Sequence, residues 1–268
     1  MVIEDVLKSQ NYNSSYNLIL NSFIREYDIS KANINALYSR GVIDKPTYDN
    51  LYNSDKFIRE KTIGLMIKQD QNIYKEIQNG IMNAKYQLIT QNDIDLEDIV
   101  SIKNDAVFVK NRKLNYTAFG LMDFKLKNTY TIYMKINRYE FYYYYNSFNR
   151  EEKLDVKGIS DDKLIIHKNY FIDFLLALFN TLQIDGIISA VNMIQNFSMA
   201  YIRRELPLDY YRKFNSESNF DLLYEGNVWS TVNISNKDIN IIDIRYNYEI
   251  IRDIYGLLIS FYFKKVKE

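Results

Sequence analysis

The chain has no cysteine, two prolines, eight glycines and a single histidine among its 268 residues. The absence of cysteine excludes disulfides, thiolate metal sites and a cysteine nucleophile. One histidine, His167, argues against a His-rich metal centre and against a Ser-His-Asp triad, and reads as an incidental surface or helix-start residue. With no Ser/Gly-rich or Pro-rich stretch there is no evident linker, so a compact fold is expected. No apolar run approaches the roughly 20 residues that span a bilayer. The start Met1-Val2-Ile3-Glu4-Asp5 is acidic and unlike a signal peptide. The sequence therefore predicts a soluble, cytoplasmic protein with no membrane partner. Net charge is missing too: 34 basic residues balance 34 acidic ones, so any nucleic-acid binding must come from a local patch.

What is present begins with 25 tyrosines and many Asn, Ile and Lys, the composition of an AT-rich genome such as a phage's. Apolar residues at 47% and charged ones at 25% are ordinary globular values. The length permits a substantial core. Between Lys103 and Arg138 eight basic residues stand against two acidic ones. Such a patch suits a phosphate backbone, and equally a charged sheet edge that suppresses aggregation.

Periodicity predicts the elements. Leu18 to Ile29 reads as a buried strand, followed by a helix over 31–38 that Gly41 stops. Residues 46–68 read as two short helices with Pro46 at a helix start. Ile73, Ile77, Ile81, Ala84 and Leu88 recur at helical spacing and predict a helix over 72–89 with one buried stripe. Ile99 to Val109 reads as two short strands around an Asn104-Asp105 turn. Strands follow within 130–145 and over 153–159, and from Tyr170 the pattern turns helical, along Phe171–Leu182, Ile187–Phe197 and Ile250–Phe261. The predicted fold class is α+β, a mixed or antiparallel sheet with helices on one face and a mainly helical C-terminal part. The division expected is 1–165, with short helices at 44–70, and 166–268.

The chemistry rests on two carboxylates. Asp28 stands at a strand end before a helix, and Asp105 at a hairpin tip. Two carboxylates on neighbouring strands suit a pair of divalent cations about 3.5–4 Å apart, as phosphoryl or nucleotidyl transfer requires. The plainer alternatives are a helix cap for Asp28 and a turn residue for Asp105.

The surrounding pattern resembles the palm domain of template-directed DNA polymerases over roughly residues 20–180. Asp28-Ile29-Ser30-Lys31-Ala32-Asn33-Ile34 looks like motif A. Lys103-Asn104-Asp105-Ala106-Val107-Phe108-Val109 looks like motif C of family B, an Asp-Thr-Asp-Ser turn and its following strand. Asn137-Arg138-Tyr139 resembles the basic-Tyr element that touches the primer, and Asp155-Val156-Lys157-Gly158 the Lys-Gly element entering the thumb. The resemblance implies a palm-like domain with short fingers-like helices, then a thumb-like region. It also implies Mg2+ or Mn2+ held by Asp28, Asp105 and the backbone of Ile29. Nucleoside triphosphates would be met by Arg59, Lys61, Lys68 and Asn33, and a primer-template by Arg138, Tyr139, Lys157 and Gly158. Two departures stand out: Lys103 and Asn104 replace the first Asp and the Thr of motif C, and Asn33 occupies the position that normally screens the sugar 2′-hydroxyl.

The expected function is template-directed nucleotidyl transfer in nucleic-acid replication, alone or with replication partner proteins. The alternatives are a catalytically inactive palm-derived protein that binds nucleic acid or a replication partner, and a viral structural protein whose tyrosine-rich sheet is core.

Overall fold

A computed structural model describes residues 3–8, 11–146, 148–149, 151–159, 172–203, 205–206, 222–224, 227–229 and 245–267. His167 and Phe171 lie outside the described residues. The fold is α+β with antiparallel strand pairing, and it divides into two compact units, residues 1–16 with 22–130 and residues 17–21 with 131–268.

The first unit contains α1 (Ile3–Lys8), β1 (Asn11–Asn13), most of β2 (Leu18–Ile29), α2 (Ala32–Ser39), α3 (Lys45–Asn53), α4 (Lys56–Gln69) and α5 (Asn72–Gln91). After them come β3 (Ile99–Lys103), β4 (Ala106–Lys110), the short β5 (Ala118–Phe119) and the first part of β6 (Met122–Ile136). The strand order is β1-β3-β4-β2-β6. The chain leaves β2, runs through four helices, and returns as the β3–β4 hairpin with β4 antiparallel to β2. β2 and β3 therefore point the same way with β4 between them, a split βαβ arrangement.

Local chemistry sets these boundaries. Asp44 accepts from the Thr47 N–H at 3.0 Å and caps α3, with Pro46 in the first turn, where no amide hydrogen is needed. Asp55 caps α4 by accepting from Ile58 N–H at 2.9 Å. The apolar stripe of α5 is buried at Ile77, Ile81, Ala84 and Leu88. Alternation along the strands does the rest. Tyr27 faces Val107 across the β2–β4 pair, and both join Ile102, Val109 and the helices α1, α2, α3 and α5 in one core. Glu26, Asp28 and Phe108, on the alternate positions, occupy the other sheet face.

In the second unit the end of β6 pairs with β7 (Tyr139–Asn146), and β7 with β8 (Glu151–Lys157), both antiparallel. One face of these strands, with Ile132, Met134, Phe141, Tyr143 and Val156, packs on α6 (Asp173–Ile184), α7 (Ile187–Ile202) and α8 (Arg245–Lys267). Phe174, Leu175, Leu178, Phe179 and Leu182 of α6 are buried as their spacing predicts. Within the mainly helical part beyond Tyr170, β9 (Leu222–Tyr224) and β10 (Asn227–Trp229) form an antiparallel pair. Tyr224, Val228 and Trp229 are β-favouring residues on either side of Gly226, a local signal outside the helical periodicity.

Candidate active site

β2 and the β3–β4 hairpin bring Asp28 and Asp105 to the same end of the sheet. Asp28 lies opposite Ala106, the residue that follows Asp105. The Ile29 N–H donates to the Asp105 carbonyl at 3.2 Å and fixes the strand end against the turn. The hairpin turns through Asn104, whose φ of 48° is one that Asn adopts at low cost. The tip is braced from below, where the buried Lys85 of α5 donates to the Asn104 carbonyl at 2.8 Å. Asp28 is not a helix cap, because the N-cap of α2 is Lys31, left-handed at φ 54° and without a side-chain capping bond.

The carboxylate of Asp28 instead meets Lys127, whose Nζ is 3.5 Å from Asp28 Oδ2 and 3.5 Å from Glu26 Oε1. Glu26 is 2% exposed and also accepts from the Tyr130 hydroxyl at 3.0 Å and from the Asn128 amide. Buried Asn35 of α2 holds the connection after β2, donating to the carbonyls of Ser30 and Leu121 at 2.9 Å each.

Charge follows this geometry. Burial, and then the like charge of Asp28, push the Asp105 carboxyl above the usual carboxylate range, against the opposing pull of a backbone hydrogen bond, Lys127 and Lys85. Burial lowers the Lys85 ammonium to about 8, with Asp105 working the other way. Burial also works to lower Lys127, but the charges of Glu26 and Asp28 outweigh it and hold that ammonium above its ordinary value. Asp28, Asp105, Glu26, Lys85 and Lys127 thus form one electrostatic cluster. Sequence reasoning missed the last three, whose partners come from different elements.

The other expected residues are placed as follows. Asn33 donates to Glu60 Oε2 at 3.1 Å and ties α2 to α4. Arg59 is buried, with Nη1 donating to the Ser54 carbonyl at 3.1 Å. Lys61 is exposed over the Phe57 ring, 5.9 Å from its centroid, and Lys68 is exposed in the last turn of α4. Ile29 is buried at the end of β2. In the second unit, Arg138 donates to the Tyr139 hydroxyl at 3.1 Å with its guanidinium 5.1 Å above that ring. Lys157 lies opposite Glu140 in the β7–β8 pair, 3.3 Å from Asp155. Gly158, at φ 94°, passes so close to Arg138 that an added Cβ would lie 2.5 Å from the Arg138 carbonyl oxygen. Two sequence elements that are apart along the chain are therefore adjacent in space.

Among the described residues no group of three or more His, Cys, Asp or Glu side chains could hold a metal ion. The donors present are carboxylate and carbonyl oxygens, which suit Mg2+ or Mn2+. Such cations bind through one or two carboxylates and complete their shells with waters and substrate phosphates. Asp28, Asp105 and the Ile29 carbonyl are donors of the type such a cation takes. No described helix is long and apolar enough to cross a membrane.

None of the curated proteins matches the chain. The family model described as Bacteriophage PBS1 gene 130 protein matches residues 2–260. The chain belongs to that family, and the family's description agrees with the phage origin expected from composition.

Proposed function

We propose that this member of the Bacteriophage PBS1 gene 130 protein family performs template-directed nucleotidyl transfer, as a reduced palm-type enzyme of nucleic-acid replication. The observation that carries the reading is the meeting of Asp28 and Asp105 at one sheet end, with Asp28 free of any capping role. The split βαβ order supports it, as does the packing of the first unit's helices against the face of β2 that carries Tyr27 and Ile29 rather than the alternate positions of Glu26 and Asp28.

In this reading Asp28, Asp105 and the Ile29 carbonyl would hold Mg2+ or Mn2+. Such ions, when bound, supply activation of the attacking hydroxyl and stabilisation of the leaving pyrophosphate. Lys61 and Lys68, both exposed on α4, would meet triphosphate charge, and Arg59, bonded to the Ser54 carbonyl, would brace the start of that helix. Asn33, held by Glu60, would contact the sugar. Arg138, Tyr139, Lys157 and Gly158 would meet a primer-template by charge and backbone contact rather than by base readout.

Primer extension with Mg2+ or Mn2+ and all eight nucleoside triphosphates tests this. Wild type should extend, while Asp28→Asn and Asp105→Asn should each lose at least about a hundredfold in rate with their circular dichroism unchanged. Full activity in either variant overturns the reading.

A second reading is a catalytically silent palm that binds nucleic acid or a replication partner through the basic, aromatic segment from Lys103 to Tyr145. It is favoured by the pairing of Asp28 with Lys127 and by the burial of Arg59. It predicts metal-independent, salt-sensitive binding of nucleic acid that Asp28→Asn leaves intact.

A further inference from the structure

We propose that Lys127 is an exchangeable cation of the site, neutralising Asp28 and Glu26 until a divalent cation enters and then turning to the triphosphate of the substrate. The inference rests on the nucleotidyl-transfer reading and assigns a further substrate-binding residue to it.

Three observations carry it. First, one ammonium lies 3.5 Å from both Glu26 and Asp28, so it occupies the ground that a divalent cation held by Asp28 needs. Second, the two carboxylates are unequal. Glu26 is 3% exposed in its side chain and keeps the Tyr130 hydroxyl and the Asn128 amide as partners when Lys127 leaves. Asp28 is 28% exposed, and Lys127 is its one ion-pair partner among the described residues. Departure of Lys127 thus leaves Glu26 without a counter-charge but still held by two hydrogen-bond donors, and it opens Asp28. Third, the Lys127 side chain is 54% exposed, so a long flexible stem can swing without disturbing the core. An ammonium on such a stem is a mobile point charge suited to phosphate oxygens.

Cation entry and Lys127 therefore compete for Asp28, and an anionic substrate relieves the competition by giving Lys127 another partner. Metal and triphosphate should bind with positive cooperativity, each weakly alone.

The test is binding of Mn2+, and of a non-hydrolysable nucleoside triphosphate with Mn2+, to the full chain, followed by calorimetry and by Mn2+ electron paramagnetic resonance. Lys127→Met should bind Mn2+ alone about three- to tenfold more tightly, as loss of a partly exposed ion pair implies. It should bind the triphosphate about tenfold more weakly, so the metal–nucleotide cooperativity falls. A merely structural lysine would not move the two affinities in opposite directions. Lys127→Arg keeps the charge and should keep the cooperativity, which guards against misfolding of the Met variant. Unchanged Mn2+ affinity in Lys127→Met, with wild-type Mn2+ binding abolished by Asp28→Asn, overturns the exchange alone. Mn2+ binding that ignores both Asp28→Asn and Asp105→Asn overturns the nucleotidyl-transfer reading itself.

Discussion

Single residues here answer to partners that lie far away in sequence. Lys85 shows this best. On α5 it neighbours the buried Ala84, and a lysine in a helix normally extends to solvent, yet it is 3% exposed with its ammonium on the Asn104 carbonyl. Burial lowers its pKa to about 8 from the ordinary 10.5. Below about pH 8 both the folded and unfolded chains carry the proton, and the folded chain bears the full cost of the buried charge. Between about 8 and 10.5 the unfolded chain still binds a proton that the folded chain has released, so stability rises with pH. Urea unfolding of wild type and Lys85→Met at pH 7.5 and 10 should show wild type gaining on the variant as pH rises; a constant difference would contradict it. Asp28 and Asp105 were legible in the sequence because each sits where a strand ends, and a strand end is a local signal. Glu26, Lys85 and Lys127 were not. Glu26 meets Lys127 and Tyr130 because β6 lies beside β2, and Lys85 meets Asn104 because α5 packs under the hairpin.

At the scale of elements, the helices and the β3–β4 hairpin followed their local signals closely, because caps and turns are short-range chemistry. Asp44, Asp55 and Asn104 each do locally what such residues favour. Arg59 is expected from the resemblance among the residues that meet a triphosphate, and the helix turns it inward onto the Ser54 carbonyl. The weak amphipathicity of α4, which exposes Phe57, Ile58 and Leu65, gave no phase from which to foresee that. Two helical glycines separate propensity from packing. Gly64 of α4 has open space where a Cβ would stand, so Gly64→Ala should stabilise by about 0.5–1 kcal/mol. Gly80 of α5 is pressed on α2, where a Cβ would lie 2.9 Å from the Ala36 Cβ and 3.2 Å from its Cα. The same gain in propensity is there outweighed by overpacking of about 1–3 kcal/mol, so Gly80→Ala should lower stability. Opposite shifts in thermal midpoint are expected, and a stabilised Gly80→Ala would show that α2 and α5 can part without cost.

For the whole molecule, composition governs the response to pH. A single histidine and no cysteine leave few side chains that titrate near neutrality, so stability should change little between about pH 6 and 7.5. The alkaline side belongs to the 25 tyrosines. Burial, then the charge of Glu140, push the Tyr133 phenol well above its ordinary value of 10. Burial, then the hydrogen bond to Glu152, do the same to Tyr143. Above about pH 10 the unfolded chain therefore loses protons that the folded chain keeps, and stability falls as pH rises. The two phenols differ in one respect. Tyr143 has Glu152 and Asn180 as partners, whereas the buried Tyr133 hydroxyl finds no hydrogen-bond partner among the described residues. Removing an unsatisfied buried hydroxyl relieves a desolvation penalty, while removing a bonded one strands its partner. Tyr133→Phe should therefore leave neutral-pH stability unchanged or raise it by up to about 1 kcal/mol, and Tyr143→Phe should lower it by about 1 kcal/mol or more. Both variants should lose less than wild type between pH 9.5 and 11 in urea titrations. A Tyr133→Phe variant that is destabilised at pH 7 would mean that its hydroxyl has a partner after all.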